Sequence, residues 1–185
     1  MPWTLAAARD LVARPWGGGA DGDGAGTSTE VWRWGTGQPP ALRVSLATIT
    51  RAGAFTAMPD RRRWLLVLDP GDGLALGGHT LAGGAVWTGP GAPPVRAALG
   101  GRAARVLNVI SAAGVAVQPT VLIGPRTLDG AAGVLVATAP QQVQRRAGPL
   151  ALDAGDALIA DGPAEALVVP GPALWVPAPA PLAGA

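Results

Sequence analysis

Short apolar runs alternate with turn signals along most of the chain. Residues 41–49 show a partly alternating, β-branched pattern, and the apolar run at residues 64–68 ends in the turn sequence of residues 69–73. Period-two alternation is typical of strands, and Pro-Gly and Asp-Gly steps are typical of turns. Similar runs occupy residues 95–99, 105–110, 115–123, 133–138, 157–160 and 166–169. Many short strands separated by turns predict an all-β sandwich or barrel.

The first thirty residues carry a different pattern. Thr4 precedes residues 5–12 in the manner of a helix N-cap, which predicts a short N-terminal helix. The glycine-rich residues 17–24 could cradle an anion or imitate a calcium loop. An EF-hand would need oxygen ligands where this chain has Ala25 and Trp32, so a flexible connector is the favoured interpretation.

The composition excludes several kinds of chemistry. All 14 basic residues are arginine, which excludes a Walker A lysine and Schiff-base catalysis. The chain has no cysteine, so thiol nucleophiles, disulfides and thiolate metal sites are excluded as well. A single histidine cannot supply a metal site built from several imidazoles. We therefore expect neither a metal nor another cofactor.

The charge does not point to nucleic acid or to a membrane. The formal net charge is only +2, and the pI of about 10.9 follows from the lack of groups that titrate between neutrality and arginine. The uncharged stretches at residues 106–125 and 166–185 contain prolines that argue against a membrane helix. Arg9 and Asp10 interrupt the only candidate for a signal sequence. A cytoplasmic protein is expected.

Few side chains are candidates for catalysis. His79 follows a Gly-Gly turn, and no nucleophile-elbow motif surrounds Ser28, Ser45 or Ser111, so a surface histidine is favoured.

The arginines beside Trp64 leave three interpretations open. They could clamp single-stranded nucleic acid, form a charged turn, or place one arginine inside the barrel as a carboxylate clamp. Strand alternation would put Arg62 and Arg63 on opposite faces, so at most one of them points inward. Glu30 and Arg43 also lie in apolar strand contexts, and inward placement of either would require a partner.

Several motifs occur in a fixed order between residues 15 and 110. They are Pro15-Trp16-Gly17-Gly18-Gly19 with Thr27-Ser28-Thr29-Glu30-Val31, then Leu42-Arg43-Val44-Ser45-Leu46-Ala47-Thr48-Ile49, Gly53-Ala54-Phe55-Thr56-Ala57-Met58-Pro59 with Arg63, Trp87-Thr88-Gly89, Leu99-Gly100-Gly101 and Leu107-Asn108-Val109. These runs resemble the "T-R-E-I", "W-R-x-S-x-A-x-I", "G-x-F-S-x-F-P-G-x-x-R", "F-x-G", "L-x-G-G" and "D-x-N" motifs of the HutD/Ves family. Residues 115–185 share only its general strand-and-turn character.

The resemblance implies a bicupin-like fold, that is, a double-stranded β-barrel of RmlC-like jelly-roll type. It predicts one compact unit over residues 1–185, with half-barrels at about 27–113 and 114–172 and a Pro/Ala-rich tail at 173–185. A faint internal echo is consistent with two halves, because residues 71–76 and 154–159 both place a Gly-Asp turn before an apolar strand.

The resemblance also implies a function. The family points to a non-catalytic, small-carboxylate-binding regulator of histidine or amino-acid catabolism, with a ligand of the urocanate or formyl- or formimino-glutamate type. The expected ligand-binding residues are Arg63 as the clamp, with Glu30, Ser28, Arg43, Asn108, Phe55 and Trp87 around it. The chain departs from the family motifs at Thr29, Pro90 and Val106, where an arginine and two aspartates are expected.

Two other functions remain open at this stage. A metal-free cupin enzyme, an isomerase or a hydrolase, could use Glu30 as a general base. An interaction or structural module without a working pocket is the other alternative. The seven tryptophans supply candidate anchors for a homodimer interface.

Overall fold

The computed structural model describes residues 2–16, 25–92 and 94–179. They form nineteen strands and one 3₁₀ helix and fall into two compact units. The central unit comprises the described part of residues 12–114, and the terminal unit comprises the described parts of residues 1–11 and 115–185. The all-β prediction is thus confirmed.

The central unit contains strands β2 to β11. They are β2 (Ala13–Trp16), β3 (Gly26–Trp34), β4 (Leu42–Ile49), β5 (Gly53–Ala54), β6 (Arg61–Asp69), β7 (Leu74–Leu76), β8 (His79–Leu81), β9 (Val86–Pro90), β10 (Arg96–Leu99) and β11 (Ala104–Ala112). One sheet has the order β2-β3-β4-β11-β6-β9 and the other β5-β10-β7-β8, with all neighbours antiparallel. Strands that follow one another in the chain thus alternate between the two sheets at several points.

The core of the central unit lies between its two sheets. Strand alternation directs one apolar row of the six-stranded sheet toward the four-stranded sheet. The row includes Ile49 from β4, Val67 from β6 and Val106 from β11, and it packs with Leu74 and Leu76 from β7. All five are at most 1% exposed. Burying side chains of this size stabilises a fold by about 1.5–3 kcal/mol each.

The terminal unit contains the other strands and the 3₁₀ helix. They are β1 (Thr4–Ala6), the 3₁₀ helix (Ala8–Asp10), β12 (Thr120–Leu122), β13 (Arg126–Leu128), β14 (Gly133–Ala137), β15 (Gln141–Arg145), β16 (Gly148–Leu152), β17 (Ala157–Ala160), β18 (Leu167–Val169) and β19 (Ala173–Pro177). Its sheets have the orders β1-β17-β14-β19-β12 and β13-β18-β15-β16. Their apolar inner faces form a second core that includes Leu135, Leu158 and Leu167.

The predicted N-terminal helix is wrong. Thr4–Ala6 is a strand paired with β17, and only the short 3₁₀ turn Ala8–Asp10 follows it. Trp3 explains the difference: it is buried, packs edge-to-face on Trp175, and its indole Nε1 donates to the carbonyl oxygen of Glu165 at 2.9 Å. These tertiary contacts outweigh the weak local preference for helix.

Two further expectations also need correction. The predicted tail at residues 173–185 is wrong over residues 173–177, which form β19 between β14 and β12. The sheets do not close into barrels, because no strand among the described residues pairs with strands of both sheets in its unit. The glycine stretch at residues 17–24 lies outside the described residues.

The internal echo does not mark equivalent positions in two halves. Both turns close with a similar hydrogen bond, from the Gly73 amide to the Pro70 carbonyl and from the Asp156 amide to the Asp153 carbonyl, each at 3.1 Å. The strands that follow differ, however. β7 belongs to the four-stranded sheet of the central unit, whereas β17 belongs to the five-stranded sheet of the terminal unit.

A carboxylate anchors the N-terminal segment within the terminal unit. Asp156 is 7% exposed, and its two oxygens accept hydrogen bonds from the backbone amides of Ala8 at 2.8 Å and Asp153 at 2.9 Å.

Among the described residues, no helix is long and apolar enough to cross a membrane.

Candidate functional site

Polar residues collect at one end of the inner face of the six-stranded sheet. Arg43 and Ser45 lie on β4, Arg63 on β6 and Asn108 on β11, each in phase with the apolar core positions of its strand. The strand register brings them close: Asn108 is opposite Ser45, and Ile110 is opposite both arginines. One end of this inner face is therefore apolar and the other is charged.

A cavity of about 50 Å³ opens among these residues. Its volume exceeds the ~10–15 Å³ that a single water needs, so it has room for a carboxylate group. Five of the seven predicted site residues line it, namely Ser28, Arg43, Phe55, Arg63 and Asn108. The remaining lining comes from Trp16, Ala47, Thr56, Met58 and Ile110.

Arg63 is the most unusual group in the cavity. It is 3% exposed, and its Nη2 donates to the carbonyl oxygen of Thr56 at 3.2 Å. Its Nε and Nη1 are buried without a hydrogen-bond partner among the described residues. Burial, followed by the positive charge of Arg43, lowers the pKa of Arg63 to about 10, so the guanidinium stays protonated at neutral pH. A buried, unpaired cation of this kind favours a bound anion.

An aromatic stack supports the Arg63 guanidinium. Its Cζ lies 4.8 Å from the centroid of the Phe55 ring, and Phe55 stacks on Trp16 with centroids 4.6 Å apart and an interplanar angle of 8°. The Trp16 indole in turn donates from Nε1 to the carbonyl oxygen of Thr27 at 2.9 Å. Phe55 is thus covered on one ring face by Trp16 and contacted by the cation. Trp16 was missed as a site residue, although the tryptophan-glycine motif contains it.

Glu30 connects two of the arginines. Its Oε2 lies 3.4 Å from Arg43 Nε, and its Oε1 accepts a hydrogen bond from Arg33 Nε at 2.6 Å. Arg43 also donates from Nη2 to the Ser28 hydroxyl at 3.3 Å. Glu30 does not line the cavity that holds Arg63. It lines a neighbouring cavity of about 370 Å³, which shares Ser28 and Arg43 with the first.

A β-bulge brings Arg33 to this group. The pairing of β3 with β4 shifts between Glu30 and Trp32, so that Val31 is an extra residue in β3. Glu30 then pairs with Ser45 and Arg33 with Arg43, two positions on the same face of β4. Regular alternation would have separated residues 30 and 33, so the pair was not predictable from spacing alone.

Two buried polar atoms at this end of the inner face also lack partners. Ser45 Oγ and Asn108 Oδ1 are buried and have no hydrogen-bond partner among the described residues. Ser45 lies in one of the sequence motifs but was not predicted as a site residue. Leaving the Asn108 Oδ1 acceptor unpaired costs about 1–3 kcal/mol, which a ligand that donates a hydrogen bond to it would recover.

The structure does not bring Trp87 to the cavity. Trp87 is opposite Leu65 on β6, and its indole ring lies over Gly89, where a Cβ would be only 2.4 Å from the ring. It lines a separate surface groove of about 700 Å³ together with the exposed His79. Among the described residues, no group of three or more His, Cys, Asp or Glu side chains could hold a metal ion.

The sequence match decides the family. The family model described as HutD matches residues 8–174. The chain belongs to the HutD family. The matched range includes every residue that lines the Arg63 cavity. No match was found among curated proteins.

Solved structures agree with a HutD and cupin fold. HutD from Pseudomonas fluorescens SBW25, in a formate condition, is 23% identical, covers 97% of this chain and 100% of its own, and has a TM-score of 0.79. A conserved protein of unknown function from Pseudomonas aeruginosa PAO1 is 24% identical over 96% of this chain and 97% of its own, with a TM-score of 0.72. A cupin 2 conserved barrel protein from Leptotrichia buccalis is 8% identical over 94% and 95%, with a TM-score of 0.57. At these identities the likeness establishes the fold.

Proposed function

We propose that this HutD-family protein binds a small carboxylate in the Arg63 cavity and acts as a non-catalytic regulator. One observation carries the proposal: the protonated Arg63 guanidinium is buried at a cavity with its Nε and Nη1 unpartnered among the described residues. A planar guanidinium pairs with carboxylates in fixed geometry, and such charge-assisted hydrogen bonds are about twice as strong as neutral ones.

The other lining residues suit a carboxylate ligand. Arg43, oriented by its contacts with Ser28 and Glu30, adds a second positive charge beside the cavity. Phe55 supplies an apolar wall that excludes water and strengthens the interaction between Arg63 and the anion. A cavity of about 50 Å³ accommodates formate or the carboxylate group of a larger acid that extends outward.

Membership of the HutD family supports a place in histidine or amino-acid catabolism. On this proposal the ligand is an acid of the urocanate or formyl- or formimino-glutamate type, and the protein senses its concentration in the cytoplasm. The substitutions at Thr29, Pro90 and Val106 lie outside the lining of the Arg63 cavity, so they leave the proposed clamp intact. We also propose that the protein forms a homodimer. Sedimentation of the pure protein would test this by giving its mass in solution.

Catalysis by Glu30 receives less support from the geometry. Both carboxylate oxygens of Glu30 face arginines, at 2.6 Å from Arg33 Nε and 3.4 Å from Arg43 Nε. Glu30 would have to leave these partners before it could abstract a proton.

The proposal is tested by a thermal-shift screen of the pure protein with formate, acetate, glutamate, urocanate and formyl-glutamate. A ligand at about 100 times its dissociation constant should stabilise the fold by about 2.7 kcal/mol. We expect at least one carboxylate to raise the melting temperature, and we expect Arg63→Met to abolish that rise.

Arg62→Met is the matched control for this screen. Arg62 is the neighbouring residue on β6, and its guanidinium lies 5.1 Å from the Trp64 ring on the opposite face of the strand. Arg62→Met should respond to the carboxylate like the wild type. An Arg63→Met protein that binds the same acid with unchanged affinity would disprove the assignment of the clamp.

A further inference from the structure

We propose that Glu30 sets the charge selectivity of the cavity, so that the cavity takes one singly charged carboxylate group, whether of formate or of a larger acid, in preference to a compact doubly charged ion such as sulfate. The inference rests on the proposed function, because it concerns the same cavity. Glu30 acts through Arg43 and does not touch the bound anion, so it is a positioning residue.

The charges around the cavity are unequally compensated. Arg43 has a carboxylate partner, since its Nε lies 3.4 Å from Glu30 Oε2. Arg63 has no ion-pair partner among the described residues; its Nη2 donates to the Thr56 carbonyl oxygen, and its Nε and Nη1 have no hydrogen-bond partner there. The net positive charge at the cavity therefore belongs to Arg63.

Counting charges gives the selectivity. Arg43, Arg63 and Glu30 together carry one net positive charge. One carboxylate neutralises that charge, whereas a sulfate would leave one net negative charge in a half-buried site. Arg33, the other partner of Glu30, and Arg14, which lines the neighbouring cavity, are both exposed, so solvent weakens the effect of their charges on the Arg63 cavity.

The strands that carry this arrangement hold Glu30 in place. The bulge at Val31 lets Arg33 pair with Glu30 from the same strand, and Arg43 pairs with it from β4. The Glu30 side chain is 31% exposed and the Arg43 side chain 30%. Their interaction is thus partly shielded from water. A charge in such a place has a stronger effect on its neighbours than a charge on the open surface.

The test compares affinities for formate and sulfate in the wild type and in Glu30→Gln, measured by isothermal titration at pH 8 and low ionic strength. The glutamine keeps the shape of the side chain and removes the negative charge. We expect the wild type to prefer formate and Glu30→Gln to shift the ratio toward sulfate by about tenfold, on the order expected for one added charge nearby.

Two more variants control the experiment. Glu165→Gln makes the same change of charge in the terminal unit and should leave the ratio unchanged. Arg33→Gln releases Glu30 to pair with Arg43 alone, so it should weaken sulfate binding more than formate binding. The opposite directions of Glu30→Gln and Arg33→Gln separate a charge effect from a general loss of structure.

The outcomes are distinct. A wild type that prefers sulfate, or a Glu30→Gln protein whose ratio equals that of the wild type, would overturn the role of Glu30 while leaving carboxylate binding intact. A folded wild type that binds neither anion nor any acid of the thermal-shift screen would instead contradict the proposed function itself.

Discussion

Replacing Arg63 by methionine should make the protein more stable when no carboxylate is present. Methionine has a similar length and keeps the apolar contact with Phe55, but it removes a buried charge. The usual cost of a large core substitution does not apply, because no large cavity is created. The expected gain comes from the electrostatic state of the wild-type arginine.

The size of the effect follows from the pKa of Arg63. Burial and the charge of Arg43 lower the pKa of Arg63 from its usual value to about 10, a difference that corresponds to about 3 kcal/mol at ~1.36 kcal/mol per pKa unit. The substitution also loses the hydrogen bond to the Thr56 carbonyl, worth about 1 kcal/mol, and the contact of the cation with the Phe55 ring, worth about 1 kcal/mol. A net stabilisation of about 1 kcal/mol remains.

The assay is urea unfolding at pH 7 in a buffer without carboxylates, followed by tryptophan fluorescence and circular dichroism. Arg62→Met serves again as the control and should lower the free energy of unfolding by no more than about 0.5–1 kcal/mol, because it loses only an exposed contact with the Trp64 ring. If Arg63→Met were less stable than the wild type by more than about 1 kcal/mol, Arg63 would be a structural residue. The argument that its unpaired charge serves to bind a ligand would then be refuted.

Two further predictions concern turns of the central unit. Gly71→Ala should destabilise the protein by several kcal/mol, because Gly71 has φ +63° and an added Cβ would lie 2.2 Å from the Arg102 carbonyl oxygen; Gly77→Ala, with φ +55° and open space around it, should cost only ~1–2 kcal/mol in the same urea assay. Equal costs would contradict the steric argument. The Gly71 amide, and then Arg102, lower the pKa of Asp69 below 3.8, so its stabilising effect is present above pH 3.8 and is lost as the pH falls through the lower folded value. The difference in the free energy of unfolding between wild type and Asp69→Asn should therefore be largest near pH 6 and should approach zero in strong acid. A difference independent of pH would show that the ionised Asp69 carboxylate does not stabilise the fold.

Much of the architecture could be predicted from the alternation of apolar residues. Most residues of the strands at 42–49 and 104–112 are buried, so apolar side chains recur along both segments and mark them as strands. The N-terminal segment could not be predicted in this way. Its structure depends on contacts of Trp3 with residues near the other end of the chain, which a local pattern does not contain.

The site shows the same division. Alternation alone predicts that Arg62 and Arg63 lie on opposite faces of the strand. The resemblance to the family motif identifies Arg63 as the one that points inward, and Arg63 is indeed the buried one of the two. The pairing of Arg33 with Glu30 depends on a one-residue bulge in β3, which has no reliable signal in the sequence. Trp16 reaches the cavity by stacking on Phe55, and such a long-range ring contact also leaves no trace in local spacing.

The topology of the terminal unit has a consequence for the order of folding during synthesis. The described strands of the central unit all lie between residues 13 and 112, so that unit has its partners as soon as this stretch has left the ribosome. β1, in contrast, pairs with β17, and the Trp3 indole bonds to a carbonyl 162 residues away. Bringing such distant segments together is slow because a long loop must close first. We therefore expect the first strand of the chain to be among the last to find its place, after β19 has entered the sheet.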